Sequence, residues 1–478
     1  MSRSTEPTTG RGRPVIVGPP GSRRRGLALA AVLTAEAMNL LDATIVQVAG
    51  PVIHADLGGA RATIPWFSAA YTLAFALGLP TGARLGDLAG RRRVFRIGVL
   101  VFAAASLACA LAPGAATLIA LRAVQGAAAA AIIPQTFGLI RALYEGGELT
   151  RALGMIGPVM GLSAVLGPVL GGVLTHADVF GSSWRAVFLV NLPPAAAVLA
   201  ASVFLTEDRA PRRPRLDPVG TVLAMLGTAL VVCPLAAAGS PGPGRWAVAA
   251  SGGVVLAAFV VQQRRAGRGG RAPLIEPALL RGRAFPAALA TSTLFFAVMN
   301  GVMITVVLHV ELGLHDGPLT AGLTLLPWST GLAAGSWAAG SHLVTRYGTR
   351  VLHTGIGVLA VGLAAAVLAY RGAAPGTYPE PLPAALGVAG LGTGLFTPPF
   401  FSTALSGVGP QETGSAAGLL NAVQQLGGTL GVAVVGGIYL GAAGDAGTAA
   451  QRALGAAAVA LAATAVAARV MTAHRDRR

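Results

Sequence analysis

Two acidic side chains lie within the first long apolar run of the chain, where charged groups are rare. They are Glu36 and Asp42, with Asn39 between them, and the fourth apolar run carries Arg122 and Gln125. A charged side chain at the centre of a bilayer costs at least ~2.5 kcal/mol, so each one needs a partner or a water-filled cavity. A carboxyl group beside an arginine stays ionised more readily, whereas burial favours its neutral form. Opening and closing such a site would make it take up and release a proton.

Helix geometry predicts that Asp42 and Arg122 lie at similar depths. At 1.5 Å per residue, Asp42 is about 22 Å from the inner end of its run, and Arg122 is about 10 Å from the outer end of an oppositely directed run. Across a hydrocarbon core of ~30 Å these depths nearly coincide. Two interpretations stay open: a proton-handling pair, or a static ion pair that orients helices.

Glu36 lies six residues before Asp42, hence on a face rotated by roughly 120° and nearer the cytoplasm. It is a candidate second proton site, a contact for cationic substrates, or a helix-interface residue. Amides in later runs are weaker cavity candidates, because amides often join membrane helices; they are Asn300, Asn421, Gln424 and Gln425. Aromatic side chains that could line an apolar pocket are Trp66, Tyr71, Phe75, Phe296, Trp328 and Phe400.

The elements that position these groups are membrane-spanning helices. The 478-residue chain is 54% hydrophobic and only 11% charged, against roughly 25% charged in soluble proteins. Apolar runs of a length that spans a bilayer recur from end to end. We predict an all-α integral membrane protein with 14 spans, which start near Leu27, Ile64, Val94, Ala115, Arg151, Arg185, Asp217, Arg245, Arg283, Leu319, Arg350, Pro383, Thr413 and Gly447.

The predicted spans divide into six, two and six. A disordered basic tail (1–26) precedes an N-terminal six-helix bundle (27–206), an inserted two-helix linker (207–265), a C-terminal six-helix bundle (266–473) and a short tail (474–478). Internal similarity supports two related halves, because Leu85 and Gly90 after the second span match Leu343 and Gly348 after the tenth. The same offset carries Asp42 onto Asn300. Internal repeats of this kind build many transporters around a central site.

Arginine placement predicts the orientation. With a cytoplasmic N-terminus, 29 of the 35 basic residues, all of them arginines, fall in cytoplasmic segments. Five fall outside, namely Arg61, Arg185, Arg245, Arg371 and Arg452, and Arg122 lies within a span. This positive-inside bias places both termini in the cytoplasm and favours an even helix count. The net charge of +17 is therefore attributed to topology rather than to nucleic-acid binding.

Other classes of chemistry lack a pattern in the sequence. Cys109 and Cys233 stand alone in apolar runs, so neither a disulfide framework nor a cysteine metal site is expected. The sequence contains no evident nucleophile–base pair, zinc pattern or phosphate loop, so no enzyme activity and no cofactor are expected. His309, His342 and His353 are expected at helix ends.

Three motifs follow one another in the N-terminal half. After the second span comes the segment 83–93, with Gly86, Asp87, Gly90, Arg91 and Arg92. It resembles the cytoplasmic loop signature of the major facilitator superfamily, G-x-L-a-D-r-x-G-r-r, with Ala83 and Leu88 as departures. A tight glycine turn beside an acid and several arginines forms a charge cluster that would hold the two halves in one conformation.

The fourth span, with Arg122, Gln125 and Gly126, is similar to the family's l-x-x-x-R-x-x-q-G motif. The fifth span resembles the antiporter motif g-x-x-x-G-P-x-x-G-G, with Ser163 replacing its first glycine; the matching residues are Gly167, Pro168, Gly171 and Gly172. Small residues allow close packing, and Pro168 removes a backbone hydrogen bond, which favours a bend.

Two further segments resemble the fourteen-span drug:proton antiporters of this superfamily. Residues 41–51 are similar to L-D-x-T-I-V-N-V-A-L-P, with Gln47 and Gly50 as departures, and residues 184–193 are similar to W-R-w-i-F-x-i-N-x-P. The resemblance covers nearly the whole chain. It implies a major facilitator fold and proton-driven efflux of drugs, antibiotics or other hydrophobic small molecules across a bacterial plasma membrane.

The implied partners are protons, a small-molecule substrate and the bilayer, without nucleic acid, and the protein is expected to be a monomer powered by the proton gradient. Asp42, Glu36 and Arg122 would handle protons and charged substrate in a cavity between the halves, together with Asn39, Gln125 and Asn300. Two alternatives remain: a proton-coupled importer or facilitator of a metabolite, which the antiporter-like fifth span disfavours, and a receptor that binds ligand without transporting it.

Overall fold

The structure, a computed structural model, describes residues 22–178, 181–207, 217–236, 243–268, 279, 282–406, 408, 413–442 and 444–473. Most of the predicted N-terminal tail and all of the predicted C-terminal tail lie outside the described residues. The described part is helical. The N-terminal half comprises α1 (Ser22–Leu57), α2 (Ile64–Ala89), α3 (Arg91–Ala110), α4 (Ala115–Leu143), α5 (Gly146–Gly154), α6 (Ile156–Ala177), α7 (Ala186–Leu189) and α8 (Leu192–Ala201).

Two helices, α9 (Pro218–Ala236) and α10 (Pro243–Arg268), follow and pack on each other. The C-terminal half comprises α11 (Ala284–Leu308), α12 (Pro318–Ala338), α13 (Val344–Tyr347), α14 (Arg350–Gly372), α15 (Leu382–Leu405), α16 (Thr413–Gly441) and α17 (Ala446–Thr472). Two π-helical segments, His309–Gly313 and Ala339–Leu343, extend α11 and α12.

Helix boundaries follow local chemistry. Pro65 stands in the first turn of α2, where its missing N–H costs no hydrogen bond. Gly90 then ends α2 with φ 102°, a conformation that favours glycine. At α17 the Asp445 side chain accepts a hydrogen bond from the backbone N–H of Thr448 (3.0 Å), an N-cap that lowers the pKa of Asp445.

Eleven helical stretches among the described residues are long and apolar enough to cross a membrane. They are Arg23–Leu57, Arg61–Ala89, Arg91–Ala110, Ala115–Leu143, Ser183–Phe204, Trp246–Ala266, Ala284–Gly313, Arg350–Gly372, Leu382–Leu405, Ala416–Gly441 and Ala446–Thr472. Helices α6, α9 and α12 lie where the other three spans were predicted, and α6 and α9 contain shorter apolar stretches, Leu166–Ala177 and Val219–Val231. Exposed apolar side chains such as Leu111, Val254 and Val459 give the helices an outer surface suited to lipid.

Each half has its own apolar core. Buried side chains form two clusters centred in the N-terminal half and one large cluster centred in the C-terminal half. Val48 and Ile64 join the large cluster, and Ala422 of α16 joins an N-terminal one, so side chains of both halves pack together at the boundary. The halves meet where α6 packs on α12 and α2 packs on α16. Helix α9 contacts both α2 and α16, so the inserted pair lies against both halves.

Candidate functional site

Packing of α1 against α4 positions the polar cluster. Asp42 and Arg122, one on each helix, are both fully buried. Arg122 Nη1 donates to Asp42 Oδ2 at 2.5 Å. The structure thus brings together the two charges whose depths matched along the sequence, and each compensates the cost of burying the other.

The second oxygen of Asp42 is also occupied. Asp42 Oδ1 accepts hydrogen bonds from Gln125 Nε2 (2.9 Å) and Asn191 Nδ2 (2.8 Å). Both amides also donate to Ser106 Oγ, at 3.2 and 3.0 Å. Both oxygens of the Asp42 carboxyl group therefore accept hydrogen bonds within the cluster.

Arg122 has partners of its own besides Asp42. Its Nε donates to the Phe67 carbonyl oxygen (2.9 Å), and its Nη1 donates to Gln125 Oε1 (2.8 Å). The guanidinium carbon lies 4.3 Å from the centroid of the Tyr71 ring, within the range of a cation–π contact. Arg122 Nη2 is buried with no hydrogen-bond partner in the part of the chain that the structure describes.

Asn191 and Ser106 belong to the cluster although sequence reasoning did not select them. Asn191 stood in the quoted segment 184–193, so the motif was a signal for its importance. Ser106 is one small polar residue in an apolar helix and gave no signal. In the same segment, Trp184 Nε1 and Arg185 Nη1 both donate to Asp56 Oδ2 at 2.9 Å, which ties this segment to the end of α1.

Glu36 and Asn39 lie on α1 away from the ion pair. Glu36 is 6% exposed, and the Thr136 hydroxyl on α4 is the polar group beside it. No ion pair to Glu36 is found among the described residues. Tyr71 donates its hydroxyl to Asn39 Oδ1, so Asn39 is linked to Arg122 through the Tyr71 ring.

Asn300 lies at the boundary between the halves rather than beside Asp42. Its Oδ1 accepts a hydrogen bond from Gln47 Nε2 (3.2 Å), which joins α11 to α1. A second polar contact joins Thr72 of α2 and Thr429 of α16 through their hydroxyls (2.6 Å). Among the weaker amide candidates, Asn421 is exposed. Gln424 is partly buried and its Oε1 has no partner within the described chain.

The charge motif after α2 makes contacts within the N-terminal half. Arg91 Nη2 forms an ion pair with Asp87 Oδ1 (3.0 Å). A Cβ on Gly86 would overlap the Gln135 side chain of α4, and a Cβ on Gly138 would overlap Arg91. The backbone N–H of Arg92 donates to Glu207 Oε1 (3.1 Å).

The antiporter-like motif lies between α1 and α12. Gly167 and Gly171 face α1, where a Cβ would meet the Thr44 side chain and, at 2.7 Å, the Ile45 carbonyl oxygen. Gly172 faces α12, where a Cβ would lie 2.6 Å from the Pro318 carbonyl oxygen. The same contact is close from the α12 side, because a Cβ on Gly322 would lie 2.7 Å from the carbonyl oxygen of Pro168. The motif therefore permits close backbone contact between the two halves.

Sequence reasoning missed one buried acid, Glu311. It lies in the π-helical segment after α11, is 8% exposed, and its Oε1 has no hydrogen-bond partner among the described residues. Short π-helical segments are frequent at functional sites. The ring of His309, two residues earlier, packs against Tyr370, with 4.6 Å between the ring centroids. Glu311 stands in an apolar run as Glu36 does, and that was the available signal.

Five of the six candidate aromatics are buried between helices, and Trp66 is partly buried. Tyr71 stacks on Phe75, and Phe400 stacks on Phe396, with centroids 6.2 and 5.1 Å apart. Trp328 is 2% exposed. Within the described residues no group of three or more His, Cys, Asp or Glu side chains is arranged to hold a metal ion.

Solved membrane transporters share this fold at low sequence identity. The fold matches the structure of tetrameric PepTSo2 with a TM-score of 0.61 at 16% identity, over 95% of this chain and 99% of that one. It matches the inward-facing, occupied structure of a bacterial homologue of the lysosomal transporter Spinster with a TM-score of 0.64 at 15% identity, over 95% and 97% of the chains. These matches show the fold: two packed helical halves built from many apolar helices.

The chain belongs to the Major Facilitator Superfamily, whose family model matches residues 32–432. It is 43% identical over 435 residues to the probable actinorhodin transporter of Streptomyces coelicolor, covering 90% of this chain and 75% of that protein. It is 34% identical to the puromycin resistance protein of Streptomyces alboniger, over 88% and 82% of the chains. The cephamycin export protein of Amycolatopsis lactamdurans is 35% identical, over 85% and 84%.

Proposed function

We propose that the protein is a proton-coupled efflux antiporter in the bacterial plasma membrane, and that it exports hydrophobic or amphiphilic small molecules such as antibiotics and drugs by alternating access. Relatives whose names describe transport, resistance or export of three different antibiotics support efflux. The observation that carries proton coupling is the fully buried Asp42–Arg122 pair. A buried acid with a separable counter-charge is the kind of group that pumps and transporters use to carry protons.

The contacts of Asp42 support a proton cycle driven by helix movement. In this conformation its two oxygens accept hydrogen bonds from Arg122, Gln125 and Asn191. If α1 moves against α4, Asp42 loses the guanidinium, and the carboxyl group then takes a proton. Arg122 tolerates the separation because the Phe67 carbonyl and the Tyr71 ring still stabilise its charge.

Glu36 is the second acid of the proposed cycle. It is buried on the same helix, with Thr136 as its polar neighbour, and no described residue supplies a counter-charge like that of Asp42. An ionised carboxylate is costly in such a place, so the neutral form fits this conformation. Two acids in contrasting surroundings can exchange protons at different stages of one cycle. In the open state Glu36 would also attract a cationic substrate.

The contacts between α6 and α12 and between α2 and α16 support alternating access. Glycine contacts at Gly172 and Gly322 hold the backbones of α6 and α12 together, and the Thr72–Thr429 contact joins α2 to α16. Separation of these contacts would open the cavity between the halves. The Asp87–Arg91 pair and the glycine turn at Gly90 would stabilise one of the two states.

The proposal includes fourteen spans with both termini in the cytoplasm, arranged as six, two and six, and a monomeric transporter. Helices α6, α9 and α12 supply the three spans beyond the eleven that length and hydropathy identify. The arginine distribution of the sequence supports the orientation.

A panel of antibiotics and dyes tests the direction of transport. Cells that overproduce the protein should accumulate less of the exported compound than cells that lack it, and the Asp42→Asn variant should accumulate as much as the latter. Accumulation that rises with expression would instead support the importer. Binding of a compound without any change in its accumulation would support the non-transporting receptor.

A further inference from the structure

A groove with a basic rim and an apolar floor lies between α3 and α8, outside the buried ion-pair cluster. Its volume is about 570 Å³, within the ~300–1,000 Å³ of typical ligand pockets. It is lined by Arg92, Arg93, Arg96, Ile97, Leu100 and Leu199, with Glu207 at its edge. Arg92 also belongs to the charge motif after α2, whereas Arg96, Ile97, Leu100 and Leu199 have no part in the proposed transport cycle.

Along α3 the lining side chains change from charged to apolar, as the two parts of an amphiphilic molecule do. Arg92, Arg96 and Leu100 are spaced four residues apart, so they follow one face of the helix over about 12 Å. The arginines occupy the first two turns of α3, at the end of a predicted span, and the aliphatic residues follow deeper along the same helix. Ile97 and Leu100 are 52% and 58% exposed, so the apolar floor is open.

The charges of the groove favour an anion. Three arginines face a single acid, Glu207, whose Oε1 already accepts the backbone N–H of Arg92. Arg93 and Arg96 are exposed. Guanidinium groups bind phosphate oxygens in two-pronged geometry, so two adjacent arginines suit a phosphodiester.

We propose that this groove binds one anionic phospholipid, with its phosphate on Arg93 and Arg96 and an acyl chain along Ile97, Leu100 and Leu199. A membrane surrounds the protein with such molecules, and basic pockets between spanning helices are known to suit anionic headgroups. The apolar floor distinguishes this site from a solvated patch of positive charge, because free phosphate would leave that floor uncovered. The lipid proposal does not rest on the proposed transport cycle, although Arg92 and Arg93 also stand in the charge motif after α2.

The test measures lipid binding to the purified full chain by native mass spectrometry. The probes are dioleoyl phosphatidylglycerol, dioleoyl phosphatidylcholine with the same chains, and water-soluble glycerol phosphate. We expect the anionic lipid to bind at least about tenfold more tightly than the zwitterionic one. In the double variant Arg93→Gln, Arg96→Gln, affinity for the anionic lipid should fall about thirtyfold, since each arginine near a membrane surface contributes ~1 kcal/mol.

The matched control removes two arginines at the corresponding place in the other half. Arg346 and Arg350 precede and begin α14, and both are exposed. The variant Arg346→Gln, Arg350→Gln should keep the affinity within about threefold of the original. In a separate variant, Leu100→Asn should weaken binding of the lipid and leave glycerol phosphate binding unchanged, because only the acyl chain contacts position 100.

Three results would overturn the proposal. Equal affinity for the two lipids in the unsubstituted protein would do so, and this comparison needs no variant. Equal losses in the two double variants would show that the interaction is diffuse surface attraction. Binding of glycerol phosphate as tight as that of the anionic lipid would identify a simple anion site.

Discussion

Asp42 accepts hydrogen bonds from three side chains, and two of these donors, Gln125 and Asn191, are uncharged amides. Asn191 holds Asp42 Oδ1 at 2.8 Å and also donates to Ser106. Arg122 is thus the one charged partner of Asp42 among the described residues. The proposed proton cycle requires Asp42 to separate from Arg122, whereas a static pair would keep this contact throughout transport.

Replacement of Asn191 by alanine should destabilise the protein. A hydrogen bond to a buried charged group contributes about 2 kcal/mol, and the carboxylate would lose one of its donors. We expect a lower unfolding temperature for purified Asn191→Ala than for the original protein. The control is Asn421→Ala, because Asn421 is exposed and its loss should leave the temperature nearly unchanged. Equal unfolding temperatures for the two variants would contradict the assigned role of Asn191.

Glu36→Gln tests whether this acid carries protons. Glutamine keeps the size and hydrogen-bonding capacity of the side chain but removes the ionisable group. If Glu36 carries a proton, the variant should move fewer protons per substrate molecule, as measured by simultaneous proton and substrate flux in liposomes. The control Glu380→Gln removes an exposed acid and should leave the ratio unchanged. An unaltered ratio in Glu36→Gln would assign the residue to packing.

At the residue scale, the sequence predicted the charged members of the cluster better than the neutral ones. Charged side chains in apolar runs stand out, and the helix rise relates their depths, so Asp42 and Arg122 could be paired. Ser106 could not be found in this way, because a serine in an apolar helix is common. Asn300, the repeat equivalent of Asp42, is predicted to line the cavity between the halves. It lies at the boundary of the halves, where Gln47 of α1 donates to it.

Helices α6 and α12 form the element-scale contact most sensitive to substitution. A Cβ on Gly172 would lie 2.6 Å from the Pro318 carbonyl oxygen and 3.0 Å from Leu319 Cα. Backbone atoms cannot rotate away as a flexible side chain can. Gly172→Ala should therefore push the two halves apart at this contact and favour the opposite transport state.

Thiol labelling measures this separation. In a background that lacks Cys109 and Cys233, a Leu319→Cys reporter should react several-fold faster when Gly172→Ala is present. The control is Gly455→Ala in α17, where no atom lies within 4 Å of the added Cβ. That change should leave labelling unaffected and stabilise its helix by up to ~1 kcal/mol. Identical labelling rates with and without Gly172→Ala would show that this contact does not close the cavity.

The sequence predicted helix positions well, because apolar length and the flanking Gly, Pro and Arg residues set the ends of membrane helices. The contacts of the inserted pair could not be predicted. Its helix α9 packs on α2 and α16, and Thr81 and Thr221 join α2 to α9 through their hydroxyls (3.2 Å). Neither threonine belongs to a motif, and the contact depends on how the two halves pack together.

At the scale of the whole molecule, an even number of spans would place both termini on one side. Green fluorescent protein fused to either terminus should fluoresce, because it folds in the cytoplasm. The control is an insertion of alkaline phosphatase at Gly376, in the loop between α14 and α15, which should be active because that loop is expected outside. A dark fusion at the C-terminus would require an odd number of spans.

The membrane class was predictable because few residues are charged and because apolar runs long enough to span a bilayer recur along the chain. Motif order then predicted the superfamily, which the family match to residues 32–432 confirms. Substrate identity has no comparable sequence signal. The walls of a cavity between two halves come from many helices, and each one contributes only a few side chains.

Proton-driven export through Asp42 is most directly tested with purified protein in liposomes. A fluorescent compound exported by cells would be followed across the membrane after a pH gradient is imposed. We expect uphill flux that depends on the gradient and disappears on its collapse. The Asp42→Asn variant should insert, purify and bind the compound but show no gradient-driven flux. Full gradient-driven flux by Asp42→Asn, or flux through the original protein that ignores the gradient, would contradict the account.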